Sequence, residues 1–192
     1  MKMQVYRLLA RTKMAGPGWR FCLWLQGCSR HCPGCMAQET WPHDQGTAMD
    51  TGDLWAQIAA TPHIEGITFL GGEPMEQPQA VATLAEQAQA AGLSVAVFTG
   101  FTYEDLLSCD DPHIRRSLDV IDLLVDGPFM QEQFDLSRPW VGSANQRFHF
   151  LSGRYNESDL AGIHNQIEIR IAADGKALVN GMGDFSRIKN LL

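Results

Sequence analysis

The chain has 192 residues, 45% of them apolar and 19% charged, with nine Phe, five Trp and three Tyr. That composition supports a folded core and excludes a disordered chain, and the length makes a single domain over 1–192 the expectation. A formal charge of -7, with fifteen Lys and Arg scattered along the chain, leaves no basic face for a phosphate backbone, so nucleic acid is not expected as a partner.

Met1 to Arg11 holds too short an apolar stretch for a signal peptide, and no later run approaches a membrane span. The expectation is a cytoplasmic protein with no membrane partner. Arg20 to Gln26 (RFCLWLQ) is an apolar, aromatic run ended by Gly27 and predicts a buried strand. At its C-terminal end, three of the five cysteines crowd into Cys28-Ser29-Arg30-His31-Cys32-Pro33-Gly34-Cys35. An odd, clustered set does not suit a secreted disulfide framework; neighbouring thiols in a reducing compartment read as metal ligands.

Thr51-Gly52-Asp53 offers a helix N-cap with an acidic first turn, and Leu54, Trp55, Ile58 and Ala59 follow at helical spacing as far as Pro62. Gly66 to Leu70 (GITFL) predicts the next strand, broken by Gly71-Gly72-Glu73-Pro74. Val81, Leu84, Ala85 and Ala88 mark one face of a helix that stops at Gly92, and Leu93 to Phe98 predicts a third strand. Thr102 with Asp105 forms a capping-box variant for a further helix, and Val120 to Val125 predicts a fourth strand. After Phe129 the pattern turns to loop, through Arg138-Pro139-Trp140 and Gly142 to Arg147. Ile167 to Ile171 and Ala177 to Val179, joined through Asp174-Gly175, predict a closing hairpin.

Strands alternating with helices imply an α/β fold with a parallel sheet, whose functional groups gather at the carboxyl ends of the strands. The cysteine loop, Gly71-Gly72-Glu73, Thr99-Gly100 and Asp126-Gly127 all fall at such ends. Thiolates favour zinc or iron-sulfur clusters. C-x3-C-x2-C supplies three, so a closed zinc site would need His31, Cys22 or Cys109 as a fourth ligand, and nothing in their spacing recommends them. Three thiolates on a cubane of four irons leave one iron open to a substrate. Cys22 and Cys109 read as ordinary buried cysteines. Taken alone, Gly71-Gly72-Glu73-Pro74 could equally be a strand-to-helix turn opened by Pro74.

The cysteine spacing after a strand resembles the signature of the radical S-adenosylmethionine (SAM) superfamily. Read with Gly16-Pro17-Gly18, Gln26-Gly27-Cys28, Phe69 to Pro74, Thr99-Gly100-Phe101, Val125 to Phe129 and Gly142 to Arg147, the chain resembles the activating proteins of anaerobic ribonucleotide reductases, a branch of the glycyl-radical-enzyme activases. The resemblance covers Gly16 to Arg147 and implies a partial (β/α) barrel core over about 16–147, with residues 148–192 as a C-terminal extension carrying the hairpin. It implies a [4Fe-4S] cluster on Cys28, Cys32 and Cys35, and SAM bound with Gly71, Gly72 and Glu73 near its amino group. It further implies that Gly34 stands where many superfamily members carry an aromatic residue against the adenine. Thr99 and Asp126 match places where related activases build a monovalent-cation site, although Phe98 replaces an acidic ligand there. The implied reaction is reductive cleavage of SAM to a 5'-deoxyadenosyl radical, which takes hydrogen from a glycine of a partner such as anaerobic ribonucleotide reductase. A flavodoxin-like protein is the implied electron donor.

Two departures bear on the partner. Met36-Ala37-Gln38 stands where the activases usually continue with His-Asn-Pro, and the tail after Arg147 is longer than theirs. The alternatives are a radical SAM maturase of another peptide or protein and, from a different class, a non-catalytic metal-binding module. Trp140 and the Gly142 to Arg147 segment are candidates for covering the site, unless Trp140 simply packs on the sheet.

Overall fold

The computed structural model describes residues 1–183. The chain opens with β1 (Lys2–Thr12), which pairs antiparallel with β2 (Arg20–Leu25) on one side and β3 (Thr47–Asp50) on the other. Then come α1 (Thr51–Ala60), β4 (Gly66–Gly71), α2 (Pro78–Ala90), β5 (Ser94–Phe98), α3 (Tyr103–Ser108), α4 (Pro112–Leu118), β6 (Leu123–Asp126), β7 (Arg147–Phe150) and α5 (Glu157–Leu160). β8 (Ile167–Ile171) and β9 (Ala177–Gly181) make a separate antiparallel hairpin, as the sequence predicts.

The main sheet has the order β3-β1-β2-β4-β5-β6-β7. β2, β4, β5 and β6 are parallel, while β3, β1 and β7 flank them antiparallel, so the α/β expectation holds with a mixed sheet. Among the described residues neither end of this order pairs with a further strand, so the sheet is open there. β7 joins it at Arg147, so the first residues beyond 147 belong to the main sheet. The rest of the extension is α5 and the hairpin, and its last residues, 184–192, lie outside the described residues. Among the described residues no helix is long and apolar enough to cross a membrane.

Strand alternation sends one set of side chains to each face of the sheet. Phe21, Leu23, Leu25, Ile67, Phe69, Val95 and Val97 pack against Leu54, Ile58, Val81, Leu84 and Ile114 of the helices. Each fully buried aliphatic or phenyl side chain contributes about 1.5–3 kcal/mol. The opposite face carries Trp24, Leu70, Ala96, Leu123 and Val125, covered by Trp140, Val141 and, from the hairpin, Leu178. Trp140 therefore packs on the sheet. Its backbone adopts a left-handed φ of 62°, and Asn165 holds it by accepting from its amide at 2.7 Å while donating to the Leu136 and Arg138 carbonyls.

Local capping follows the sequence with one shift. Asp50, not Thr51, caps α1 by accepting from the Gly52 amide at 2.9 Å, because the aspartate at the end of β3 is the first side chain able to reach back to that amide. The Thr102 and Asp105 capping box of α3 is present.

Arg20 fastens the parallel strands at their amino ends. It is completely buried, and its five N–H groups reach Thr68 Oγ1 (2.6 Å), Pro17 O (2.9 Å), Ser94 Oγ (2.9 Å), Ser94 O (3.1 Å) and Ile67 O. One side chain thus ties β2, β4, β5 and the Gly16-Pro17-Gly18 turn together. Arg20→Met removes five hydrogen bonds to buried acceptors, of which Ser94 Oγ keeps one other donor, Tyr155 Oη, and is expected to cost about 3–5 kcal/mol. Urea denaturation should show it as a lowered midpoint at unchanged slope; an unchanged midpoint would contradict the role.

Candidate functional site

The parallel pairing of β2 with β4 sets Leu25 opposite Gly71 and so delivers the cysteine loop beside Gly71-Gly72-Glu73. Gly27 turns the chain out of β2 at φ 99°, and its amide and that of Cys28 bond to the Thr40 and Trp41 carbonyls at 2.8 and 3.1 Å. The loop is therefore tied at both ends. The His31 ring stacks on Trp41 with centroids 4.7 Å apart, and Glu76 accepts from the Ser29 amide at 2.9 Å while lying 2.8 Å from His43 Nε2.

Backbone N–H groups point at two of the sulfurs, those of Cys28 and Cys35. Burial pushes the Cys28 thiol up, and hydrogen bonds from the Arg30 and His31 amides oppose that by favouring thiolate. Ala37 donates to Cys35 Sγ at 3.4 Å, and Cys35 itself is braced by its amide on Cys32 O at 3.1 Å. Amide donors on cysteine sulfur are what a cluster-bound thiolate uses to spread its charge, so the three residues fit an iron-sulfur cluster. Among the described residues no three His, Cys, Asp or Glu side chains converge closely enough to hold a single ion; a cubane asks for less, since each thiolate binds a different iron. Cys22 stays inside β2, fully buried, its thiol raised to about 12 by burial. Cys109 closes α3 against the helical core. Neither joins the loop, and His31 is committed to Trp41.

Gly71 and Gly72 bring backbone against backbone. A Cβ on Gly71, at φ 100°, would lie 2.8 Å from the Leu25 nitrogen, and one on Gly72 would lie 2.3 Å from Gly27 O. Both glycines let the end of β4 press against the backbone of β2 and the cysteine loop, where Gly72 N reaches Leu25 O (2.9 Å) and Glu73 N reaches Gly27 O (2.8 Å). The Glu73 side chain is buried, and its carboxylate accepts from Met75 N (2.9 Å), Thr99 Oγ1 (2.7 Å) and Gly100 N (2.7 Å). It joins the end of β4 to the end of β5. Burial raises its pKa from the ordinary 4.5 to about 7, against the pull of those three donors.

Residues 14–149 match the 4Fe-4S single cluster domain family. The anaerobic ribonucleoside-triphosphate reductase-activating protein of Salmonella typhimurium is 33% identical over 146 residues, 71% of this chain and 91% of that protein. This chain belongs to that activating-protein family. The Haemophilus influenzae protein of the same name is 34% identical over 145 residues, covering 70% of this chain and 89% of its own, and that of Enterobacteria phage T4 is 28% identical over 138 residues, covering 69% and 84%. Among solved structures, QueE from Escherichia coli gives a TM-score of 0.45 at 19% identity over 53% of this chain and 54% of its own, too slight a likeness to bear on the fold.

Within the activating-protein match, Thr99 and Asp126 lie at neighbouring strand ends, but their side chains go to separate partners. Thr99 serves Glu73. Asp126, fully buried, accepts from Tyr103 N at 2.7 Å and from the Arg147 guanidinium, with His149 Nε2 at 3.1 Å. Burial raises the Asp126 pKa, but Arg147, the Tyr103 amide and His149 outweigh it and hold the carboxyl below its ordinary value. The positive charge facing Asp126 is thus Arg147, which also grips Glu104. Gly34, at φ 77°, faces Phe129 and Gln131: a Cβ there would lie 2.7 Å from Gln131 Oε1 and 3.3 Å from Phe129 Cε1.

Three contributors escaped the sequence reading. Glu76 and His43 brace the cysteine loop, and Arg30 lies over the Phe101 ring at 4.9 Å, bridging the loop to the end of β5. Glu76 had a signal, being a carboxylate three residues after Glu73 in Gly71-Gly72-Glu73-Pro74-Met75-Glu76; His43 and Arg30 had none. The family match ends before α5, β8 and β9, so the hairpin is an addition to the matched region.

The buried Glu73 carboxyl has a pH consequence. Its folded-state pKa lies above the unfolded value, so between about pH 4.5 and about 7 the unfolded chain loses this proton while the folded chain keeps it. Stability therefore falls with rising pH across that window. Relative to Glu73→Gln, the wild-type protein should lose about 3 kcal/mol from the lower to the upper pH. Urea midpoints of both proteins along a pH series measure it, and parallel profiles would contradict the assignment.

Proposed function

We propose that this chain is a radical SAM activase built on a partial (β/α) barrel, with Cys28, Cys32 and Cys35 holding a [4Fe-4S] cluster and SAM bound beside Gly71-Gly72-Glu73. The observation that carries the reading is the docking of a three-cysteine loop, with backbone amides on its Cys28 and Cys35 sulfurs, directly onto the buried Glu73 segment. Cys28, Cys32 and Cys35 would hold the cluster, which when bound would supply one-electron reductive cleavage of SAM to methionine and a 5'-deoxyadenosyl radical, the chemistry needed to take a glycine Cα hydrogen from a partner such as anaerobic ribonucleotide reductase.

The protein's part is orientation and exclusion of water. A carboxylate offers about four acceptor positions, and Glu73 uses three, which leaves one on Oε2 for the ammonium of SAM. Thr99 and the Gly100 amide fix that carboxylate; they position the acceptor rather than contact the reacting atoms. Gly34, lacking a side chain, lets Gln131 and Phe129 close over the loop, where a Cβ would meet Gln131 Oε1 at 2.7 Å. The same reading takes a flavodoxin-like protein as the electron donor.

Anaerobic reconstitution is expected to give a brown protein whose electron paramagnetic resonance signal shifts on adding SAM. Cys28→Ala, Cys32→Ala and Cys35→Ala should lose the cluster, while Cys22→Ala and Cys109→Ala keep it. Stoichiometric zinc without iron uptake would reduce the chain to a metal-binding module. Incubation of the reduced enzyme with SAM and an anaerobic ribonucleotide reductase deuterated at glycine Cα should give a glycine-centred radical signal and deuterated 5'-deoxyadenosine. SAM cleavage with neither result would leave a maturase of another polypeptide as the reading.

A further inference from the structure

A cavity of about 300 Å3 lies at the amino ends of the parallel strands, the end away from the cysteine loop. Gly16 and Gly18, in the turn before β2, form one wall, and the segment between α5 and β8 forms the other. That second wall lies beyond residue 149, where the family match stops. Trp140, buried, and Ile163, half-buried, give the cavity an apolar back. Lys13 and His164 are exposed and stand at its mouth, the Lys13 ammonium 4.9 Å over the Trp19 ring.

Behind the Gly16 wall lies Arg20: a Cβ on Gly16 would stand 2.8 Å from Arg20 Cδ and 3.1 Å from its Nε. Arg20 is fully buried, and its donors go to neutral oxygens of Thr68, Pro17, Ser94 and Ile67. Those bonds satisfy its N–H groups without cancelling its charge, and a buried charge lacking a counter-charge is costly. Glu65, beside Gly18, is exposed to screening by water and accepts from the Trp19 amide at 2.9 Å. An anion in the cavity would supply the missing charge across a wall one residue thick. One buried cation matches a single negative charge, which suits a carboxylate better than a phosphate carrying about two. The volume, at the low end of the roughly 300–1,000 Å3 of ligand pockets, suits a small molecule.

We propose that this cavity binds a small organic carboxylate, its apolar body against Trp140 and Ile163 and its charge toward Gly16 and Arg20, with Lys13 and His164 attracting it at the mouth. The site is separate from the cysteine loop and stands without the activase reading. An occupant balances the buried guanidinium, so the ligand stabilises the strand ends that Arg20 ties together.

The test uses the full-length reconstituted protein and three probes: phenylacetate, its neutral counterpart phenylacetamide, and inorganic phosphate. Binding is followed by saturation-transfer NMR and isothermal titration. Phenylacetate is expected to bind at least about tenfold more tightly than phenylacetamide and, at saturation, to raise the urea midpoint. Lys13→Glu and His164→Glu should each weaken phenylacetate about fivefold while changing phenylacetamide by less than about twofold. Gln166→Trp, a bulky ring placed on the exposed lining, should block both. SAM affinity should stay within about twofold of wild type in all three variants. Arg20→Met, where it folds, should erase the preference for acid over amide; the rise in the wild-type urea midpoint reads the same coupling without that variant. Absence of phenylacetate binding, equal binding of acid and amide, or binding untouched by the three variants overturns the proposal. Tighter binding of phosphate overturns it in favour of a phosphate site, and displacement of phenylacetate by SAM overturns it by placing the probe in the SAM site.

Discussion

The buried carboxylate of Glu73 is the constraint around which this site is assembled. A charge taken out of water must find donors, and here it finds them on two different strand ends: the Met75 amide following β4, and the Thr99 hydroxyl and Gly100 amide following β5. Its own amide bonds to Gly27 just before the first cluster cysteine. Three loops that could each fray by themselves are thereby held in one register. The cost is a carboxyl that resists ionisation, which is the usual condition of a functional group placed where water is excluded.

The glycines beside it show how shape and charge cooperate. Burying Glu73 requires the end of β4 to approach β2 more closely than a Cβ allows, and Gly71 and Gly72 permit that approach. The glycines thus serve the protein's own packing, and the ligand gains indirectly, because the acceptor is fixed before anything binds. At the opposite end of the same strands Arg20 does the complementary work with five donors aimed at neutral oxygens. β2, β4 and β5 are thus held at one end by a buried guanidinium and at the other by a buried carboxyl.

Much of this was legible in the sequence, for identifiable reasons. The cysteine spacing, the break at Gly71 to Pro74 and the central strands carry strong local signals, since buried parallel strands are short apolar runs and chemistry sits where they stop. β1, β3 and β7 were missed because flanking strands show weaker alternation: Lys2–Thr12 mixes Arg, Lys and Gln among its apolar positions. α4 was missed because seven residues from Pro112 are too few for a clear period. The partners of Asp126 and the brace from Glu76 and His43 are tertiary facts, made by residues 21 and 33 positions apart that no local pattern links. Trp140, read as either cover or packing, proved to be packing because Asn165, far along the chain, holds its backbone in a left-handed turn.

The Cys28 and Cys35 sulfurs receive their hydrogen bonds from the main chain, at Arg30, His31 and Ala37. An amide donor belongs to every residue type except proline, so side-chain identity at those three places does not set the electrostatics of the thiolates. One bound is conformational: His31 sits at φ 45°, a region that β-branched residues avoid. The other is the exclusion of proline. Within these two bounds a change of side chain at 30, 31 or 37 leaves the donors to the sulfurs in place, whereas Gly34, at φ 77° and pressed against Gln131 and Phe129, is held to glycine by its own backbone and packing.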